Sequence, residues 1–340
     1  MGRCSQVRDG AYEQASAARI RRAHQERRPM ADVELLVRIA RMYYIDQLNQ
    51  DAIARRVGMS RQSVSRLLGQ AMTEGIVHIE VRPPAQSVVW LEDELSRRYR
   101  IPEVRVVETD EESSLAERTR LAARAAARMI AGRLDGSERV AVAWGRTILE
   151  FAYGLPRTAH NQMLVVQMNG SALGASGSGR PESVATVMAE AWSCDQLTLS
   201  APLYVDTPEI REILAGDTGM RRVLDAARRA DVAVFSLDTP SIDSGLYKAG
   251  LIVDRDLDAG RRDGAVGEIC GQFYDADGRP CTLELSARCI SITLDELARI
   301  PTRVCVAVGE KKIGAIQGAL SGGYATFFAT DAATAELLLR

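Results

Sequence analysis

The first sustained apolar pattern in the chain begins at Asp32. Leu35, Leu36, Ile39, Met42 and Tyr43 recur at three- and four-residue steps, which predicts one amphipathic helix to about Asp46. Asn49 is placed to cap a second helix over Gln50–Val57, which Gly58 ends, and Ser60 to cap a third from Arg61 to about Thr73. Gly75 breaks that helix, and Ile76–Val81 then alternates as a strand stopped by Pro83-Pro84. Three helices followed by a β-wing form a winged helix-turn-helix pattern.

Val88–Tyr99 is a charged amphipathic helix with Val88, Leu91 and Leu95 on one stripe, expected to link two parts and to pair with its copy in another subunit. After Pro102 short apolar runs alternate with helical segments. The expected strands are 104–107, 139–143, 164–167, 196–199, 232–236, 268–274, 286–292, 303–308 and 325–328. Helices fall between most of them, among them 115–134, 147–153, 183–192, 220–230, 312–321 and 332–339. Such alternation predicts an α/β domain with a mainly parallel sheet covered on both faces. Asp275-Ala-Asp-Gly278 reads as the turn of a hairpin insertion. The expected division is a disordered basic arm (1–29), a winged helix-turn-helix (30–84), a linker and oligomerisation helix (85–102) and an effector-binding and oligomerisation domain (103–340). Met30 is an alternative start.

Within the second and third helices the small, turn, apolar and polar positions fall where a helix-turn-helix needs them. Two helices that cross closely need a small residue at the contact, and Ala54 supplies it. The turn needs a residue that tolerates positive φ, and Gly58 supplies that. Ile53, Val57, Val64 and Leu67 are the expected shared core. Arg61, Gln62, Ser63, Ser65 and Arg66 then project outward, and these side-chain types read base edges and phosphates. Arg61, Gln62 and Arg66 are assigned to bases, and Ser60, Ser63 and Ser65 to phosphate. Arg82 is expected at the edge of the wing, beside the DNA backbone.

Composition sharpens this picture. Residues 1–84 carry 14 Arg against nine acidic residues, a balance of +5, so the remainder of a chain of net charge -2 carries -7. A basic front on an acidic body suits a nucleic-acid module attached to something that does not bind nucleic acid. No apolar run approaches a membrane span, and the Arg-rich start lacks a signal-peptide core, so a cytoplasmic protein with no membrane partner is expected. The six cysteines form no C-x-x-C pair and read as reduced thiols; with three scattered histidines they predict no metal site and no cofactor. Only three of the 43 basic residues are lysines, Lys248, Lys311 and Lys312.

The run Val140-Ala-Val-Ala-Trp-Gly145 leads directly into Arg146-Thr147, a strand-to-helix glycine turn whose N–H groups can meet an anion. With the helix-turn-helix, Trp144-Gly-Arg-Thr147, Val166-Gln-Met-Asn-Gly170, Ala201-Pro-Leu203, the segment Gly267–Pro280, Val308–Ile316 and Gly322-Gly323, the chain from about 35 to 340 resembles the SorC family of bacterial sugar-binding transcriptional regulators. The resemblance implies an effector domain like the glucosamine-6-phosphate deaminase and ribose-5-phosphate isomerase fold. It also implies a homotetramer, operator DNA as partner, and a phosphorylated sugar or polyol as effector. Carried over, it puts Gly145, Arg146 and Thr147 at the phosphate end of the pocket, and Asn169, Gly170 and Ser171 along the sugar. Glu268 would accept from sugar hydroxyls, Lys312 and Lys248 would be basic ligands, and Arg180, in the Gly/Ser-rich loop 171–180, a further one.

A sugar-phosphate isomerase or deaminase of the same fold is the alternative. Such chemistry needs a positioned base and acid. His160 lies in a loop-like stretch with no carboxylate near it in sequence, and an enzyme has no use for a helix-turn-helix. The absence of Lys from 1 to 247 excludes Schiff-base capture of an aldehyde by the Asn169 loop. The expectation is a regulator without catalytic residues.

Overall fold

The structure is a computed structural model and describes residues 30–79, 87–110, 112–171 and 183–340. The basic arm (1–29), Arg82 and Arg180 lie outside the described residues. The chain forms two compact units that divide between residues 82 and 83.

The first unit holds α1 (Met30–Tyr44), α2 (Gln50–Val57) and α3 (Arg61–Thr73). The caps are those the sequence implies. Asn49 accepts from the Ala52 N–H, Ser60 accepts from the Ser63 N–H, and Gly58 sits in the left-handed region at φ 71°. The core is Ile39, Met42, Ile53, Ala54, Val64 and Leu68, with Val57 and Leu67 only half-buried at its edge. Here the structure corrects the expected wing. Gly75 ends the helix at positive φ, but Ile76–Ile79 form no strand. Ile76 and Val77 instead pack against Leu36, Ala40 and Ala71, while Ile79 is left exposed. The rest of the expected wing falls outside the described residues.

The second unit is a seven-stranded sheet in the order β1-β9-β8-β5-β2-β3-β4, every pairing parallel. The strands are β1 (Glu103–Val107), β2 (Arg139–Val142), β3 (Leu164–Gln167), β4 (Asp195–Leu197), β5 (Val232–Phe235), β8 (Thr302–Val306) and β9 (Phe327–Asp331). The apolar runs of the central β2, β3 and β5 are continuous because both faces are covered, whereas the edge strands β1 and β4 carry polar residues. Val140, Val142, Val165, Val232 and Val234 face the alanine-rich α5 (Leu115–Ala131), α6 (Arg146–Tyr153) and α7 (Val184–Trp192). Ala141, Ala143, Val166, Ala233 and Phe235 belong to the opposite layer, with side chains from α4 (Val88–Tyr99), α9 (Thr218–Arg228), α14 (Ile313–Ser321) and α15 (Ala332–Leu339).

Helix α4 corrects a second expectation. Leu91 and Leu95 are fully buried in this same core, and the ends of α4 and α15 are joined by bonds from Arg98 and Tyr99 to the Leu339 and Leu338 carbonyls. Its apolar stripe is used up inside the domain and is not left to pair with another subunit.

Two expected strands also resolve differently. Residues 268–274 split into β6 (Gly267–Ile269) and β7 (Gln272–Tyr274), because Cys270 and Gly271 both take positive φ and turn the chain back. The Asp275–Gly278 turn follows, and pairing beyond it shrinks to a single bridge, Tyr274 to Pro280. Residues 286–292 give the end of a short helix, α12 (Glu284–Ala287), and isolated bridges from Cys289 to Tyr204 and from Ser291 to Asn169. This apolar run is buried between loops rather than beside a strand. A third cluster, including Leu203, Leu246, Leu257, Phe273 and Leu285, gathers segments that follow the strands' carboxyl ends, and Trp144 packs against it. The glycines of two sequence motifs meet here: a Cβ at Gly278 would stand 2.3 Å from the Gly322 Cα.

Candidate functional site

In the first unit the candidate reading surface is the start of α3. Arg61, Gln62, Ser65 and Arg66 are exposed, and Ser63 is half-buried. Arg61 lies 3.9 Å from Asp51, an exposed pair that constrains it little. Ser60 and Ser63 are partly committed, since Ser60 caps the helix and the two hydroxyls lie 2.9 Å apart. The structure therefore joins the six predicted residues on one helical turn and its cap, with four side chains open to a partner.

In the second unit the candidate site lies at the carboxyl ends of β2, β3, β5 and β8, around the middle of the sheet. Strand order reverses there: β2 has β3 on one side and β5 on the other, the crevice in which parallel α/β sheets bind ligands. After β2, Gly145 adopts φ 134° and opens α6 without any side-chain cap. The first N–H groups of α6, at Arg146 and Thr147, thus have no protein side chain assigned to them, and the helix dipole there favours an anion. Arg146 is exposed and Thr147 half-buried.

After β3, the Asn169–Ser171 loop is held by main-chain bonds on both sides. Gly170 donates to the Ile290 carbonyl at 2.8 Å, and Ser171 donates to the Ala201 carbonyl at 2.9 Å. Gln167 donates from Nε2 to the Asn169 carbonyl at 2.8 Å. Gly170 has no room for a side chain, since a Cβ would approach the Pro202 carbonyl oxygen to 2.3 Å. Asn169 is 2% exposed, and its Oδ1 is buried without a hydrogen-bond partner. The Trp144 Nε1 is buried and unpartnered as well. Buried polar atoms are ordinarily paired, so each needs an explanation.

After β5 and β8 comes a charged trio. Lys312 donates to the Leu237 carbonyl at 2.8 Å and lies 3.5 Å from the Asp238 carboxylate. Asp238 and Glu268 exchange both main-chain bonds, which ties the β6–β7 hairpin to the end of β5. The Glu268 carboxylate accepts from the Gly271 N–H at 2.9 Å, inside the turn that Cys270 and Gly271 make. Burial pushes the Glu268 carboxyl up to about 7, and the Asp238 charge adds to this; the Gly271 N–H and Lys312 oppose it. The structure thus brings Glu268 and Lys312 together around Asp238.

Lys248 is not brought into this trio. Its side chain is 60% exposed and its ammonium lies 4.0 Å from Asp243, which also receives Lys311 at 2.8 Å. Asp238 is absent from the sequence-based set, although a carboxylate immediately after the buried run Val232–Phe235 and its short extension is the signal that could have found it. The Trp144 indole was part of a quoted motif without being given a role, and only its burial singles it out.

Among the described residues no group of three or more His, Cys, Asp or Glu is placed to hold a metal ion, and no helix is long and apolar enough to cross a membrane. Cys270, Cys281, Cys289 and Cys305 are buried free thiols, and burial raises all four above the usual thiol range.

Comparison with known proteins places this arrangement. The family described as "Putative sugar-binding domain" matches residues 84–340. The transcriptional regulator LsrR of Klebsiella pneumoniae is 32% identical over 91% of this chain and 94% of its own length. The deoxyribonucleoside regulator of Bacillus subtilis is 28% identical over 90% and 97% respectively. The crystal structure of the full-length sorbitol operon regulator SorC from Klebsiella pneumoniae superposes with a TM-score of 0.70 at 26% identity, covering 91% of this chain and 99% of that one. These relatives are named as transcriptional regulators and not as enzymes.

Proposed function

The chain belongs to the SorC family of sugar-binding transcriptional regulators, and from that premise we propose how its two units divide the work. Arg61, Gln62 and Arg66 read operator bases, while Ser60, Ser63 and Ser65 meet phosphates. The effector is a phosphorylated sugar or polyol held at the strand carboxyl ends. Its hydroxyls meet Asn169, Gly170, Ser171 and Glu268, and its phosphate meets the start of α6, Arg146, Thr147 and Lys312. Lys248 and Arg180 are assigned to the rim of the same site. The protein acts in the cytoplasm as a homotetramer.

The observation that carries this reading is Asn169. A carboxamide 2% exposed, with its oxygen unpartnered, stands at the switch point of a parallel sheet. A phosphate end is supported by the uncapped α6 and by Lys312, whose partner Leu237 is aligned with Gly145 when the β2–β5 register is extended. A point charge such as Lys312 suits a phosphate oxygen.

The effector must bind one state of the protein better than another to alter operator affinity, and operator must then change effector affinity by the same factor. The test is calorimetric titration of a hexitol and its phosphate, a first probe prompted by the relative named for the sorbitol operon. Lys312→Ala is expected to weaken the phosphorylated form far more than the parent polyol, with DNA binding of the free protein retained. Equal losses for both forms would remove Lys312 from the phosphate end.

A further inference from the structure

We propose that Trp144 is an effector-binding residue, and that its indole N–H and the Asn169 carboxamide oxygen together hold a single hydroxyl group of the effector. The proposal rests on the reading of the strand carboxyl ends as the effector site and adds a selection rule to it.

Three observations support the pairing. The parallel register of β2 and β3 matches Arg139 with Leu164 and Val142 with Gln167; extended by two residues past the strand ends, it matches Trp144 with Asn169. Both polar atoms are buried and neither has a partner. The surroundings are ordered on both sides: the Trp144 ring packs against the cluster that includes Leu203, Leu246 and Phe273, and the Asn169 main chain bridges to Ser291. Neighbouring hydroxyls are turned elsewhere: Ser291 Oγ bonds to the Met168 carbonyl, and Ser171 Oγ faces that of Ala201.

The chemistry of the two atoms is complementary and restrictive. An indole nitrogen can only donate, and a carboxamide oxygen can only accept. A group placed between them must accept from one and donate to the other. A hydroxyl does both. A carbonyl, a ring oxygen or an ionised phosphate oxygen only accepts, so it would leave the Asn169 Oδ1 unpaired. An ammonium only donates and would leave Trp144 unpaired. A site built around paired donors and acceptors rejects an analogue lacking the matching group strongly, because the protein's own buried groups are then stranded. This subsite therefore selects a hydroxyl-bearing carbon and not a carbonyl or phosphate at that position, which places the phosphate at the α6 end.

The experiment uses the full chain labelled with 5-fluorotryptophan. Its three tryptophans, Trp90, Trp144 and Trp192, give three fluorine signals, and Trp144→Phe assigns the relevant one. D-glucitol and D-glucitol 6-phosphate are the hydroxyl probes; acetone and sulfate, which carries no proton at neutral pH, are the acceptor-only probes. The Trp144 signal is expected to move saturably with both polyols and to stay still with acetone and sulfate. Trp144→Phe and Asn169→Leu are each expected to weaken D-glucitol 6-phosphate by roughly tenfold to a hundredfold, while the free protein still unfolds cooperatively. A Trp144 response to sulfate or acetone equal to that of the polyols would overturn the selection rule, as would no response to either polyol. The two readings separate through Lys312→Ala. If D-glucitol 6-phosphate binds in a Lys312-dependent way while the Trp144 signal is still, the site stands and the hydroxyl clamp falls. If the signal moves and Lys312→Ala changes nothing, the clamp stands and the phosphate end falls.

Discussion

In residues 60–66 the side chains assigned to DNA stand in water on a short, well-capped helix, and few of them are bonded to the protein. At the carboxyl ends of β2, β3, β5 and β8 the polar groups are enclosed, bonded to loops on several sides, and in two cases buried without a partner. The difference follows from what each partner brings. DNA offers a dense array of phosphates and base edges that exposed donors can reach without desolvating a core. A small sugar offers a few hydroxyls, so its site must be dry and arranged beforehand to distinguish it. One surface can lose a side chain without unfolding, whereas the other is continuous with the core that supports it.

That contrast is tested most severely by removing core beneath the effector domain. Leu95→Ala deletes a side chain fully buried in the main cluster, and an expected loss of about 2–5 kcal/mol should appear in denaturant unfolding. Had the α4 stripe been a pairing surface, the same substitution would leave the unfolding free energy of the subunit nearly unchanged and alter the association state alone. Light scattering alongside the unfolding curve decides between them.

A second effect, of up to about 3 kcal/mol, concerns a buried carboxylate and its pH dependence. The Glu268 carboxyl sits at about 7 in the folded chain, against an ordinary value of 4.5. Between those values the folded protein keeps a proton that the unfolded chain has released. Stability contributed by this group is thus greatest below the ordinary value, falls as pH rises through the window, and levels off above about 7. Glu268→Gln keeps an oxygen for the Gly271 N–H and removes the charge. It is expected to raise the melting temperature at pH 8 and to leave it unchanged at pH 4. A melting temperature equally shifted at both values would mean that the carboxylate is not held in a costly state.

These two regions also differ in how much of them the sequence discloses. The reading helix is local: Asn49, Gly58 and Ser60 act on residues within a few positions, so their roles follow from spacing alone. The effector domain is not local. Alternating short apolar runs predict a parallel sheet, but nothing in β1 says that it pairs with β9 some two hundred positions later. The Lys312–Asp238 contact has the same character, and Asp238 was missed for that reason. Apolar patterns misled where they were spent on an unforeseen neighbour. The run from Ile76 reads as an alternating strand, yet Ile76 and Val77 pack together over helices, and Leu91 and Leu95 of α4 face their own domain. An unpartnered atom such as the Trp144 Nε1 has no sequence signature, because its lack of a partner is a property of the folded surroundings.

Arg61→Ala and Arg66→Ala probe the exposed region at the next lower magnitude. Each is expected to cost about 1–3 kcal/mol of specific operator binding with an unchanged melting temperature. Binding to random DNA should fall much less at the same salt concentration. Retained discrimination between operator and random DNA in both variants would show that bases are read elsewhere.

The smallest expected effect separates a helix cap from a phosphate contact at Ser60. Its side-chain oxygen accepts from the Ser63 N–H at 3.1 Å, so Ser60→Ala should cost about 1 kcal/mol of stability in the first unit. Loss of DNA binding in that variant would be ambiguous, since a frayed α3 reads DNA poorly. Ser60→Asp removes the ambiguity. Aspartate caps as well as serine, and its charge is favourable at a helix N-terminus, so stability should return to that of the parent or exceed it. If α3 presents its N-terminus to the DNA backbone, the same charge repels phosphate, and operator affinity should fall although the helix is intact. The fall should be steeper at low salt, where the repulsion is less screened. Parent-like affinity of Ser60→Asp at low salt, with the cap restored, would place Ser60 away from the phosphates and confine its role to starting the helix that carries Arg61 and Arg66.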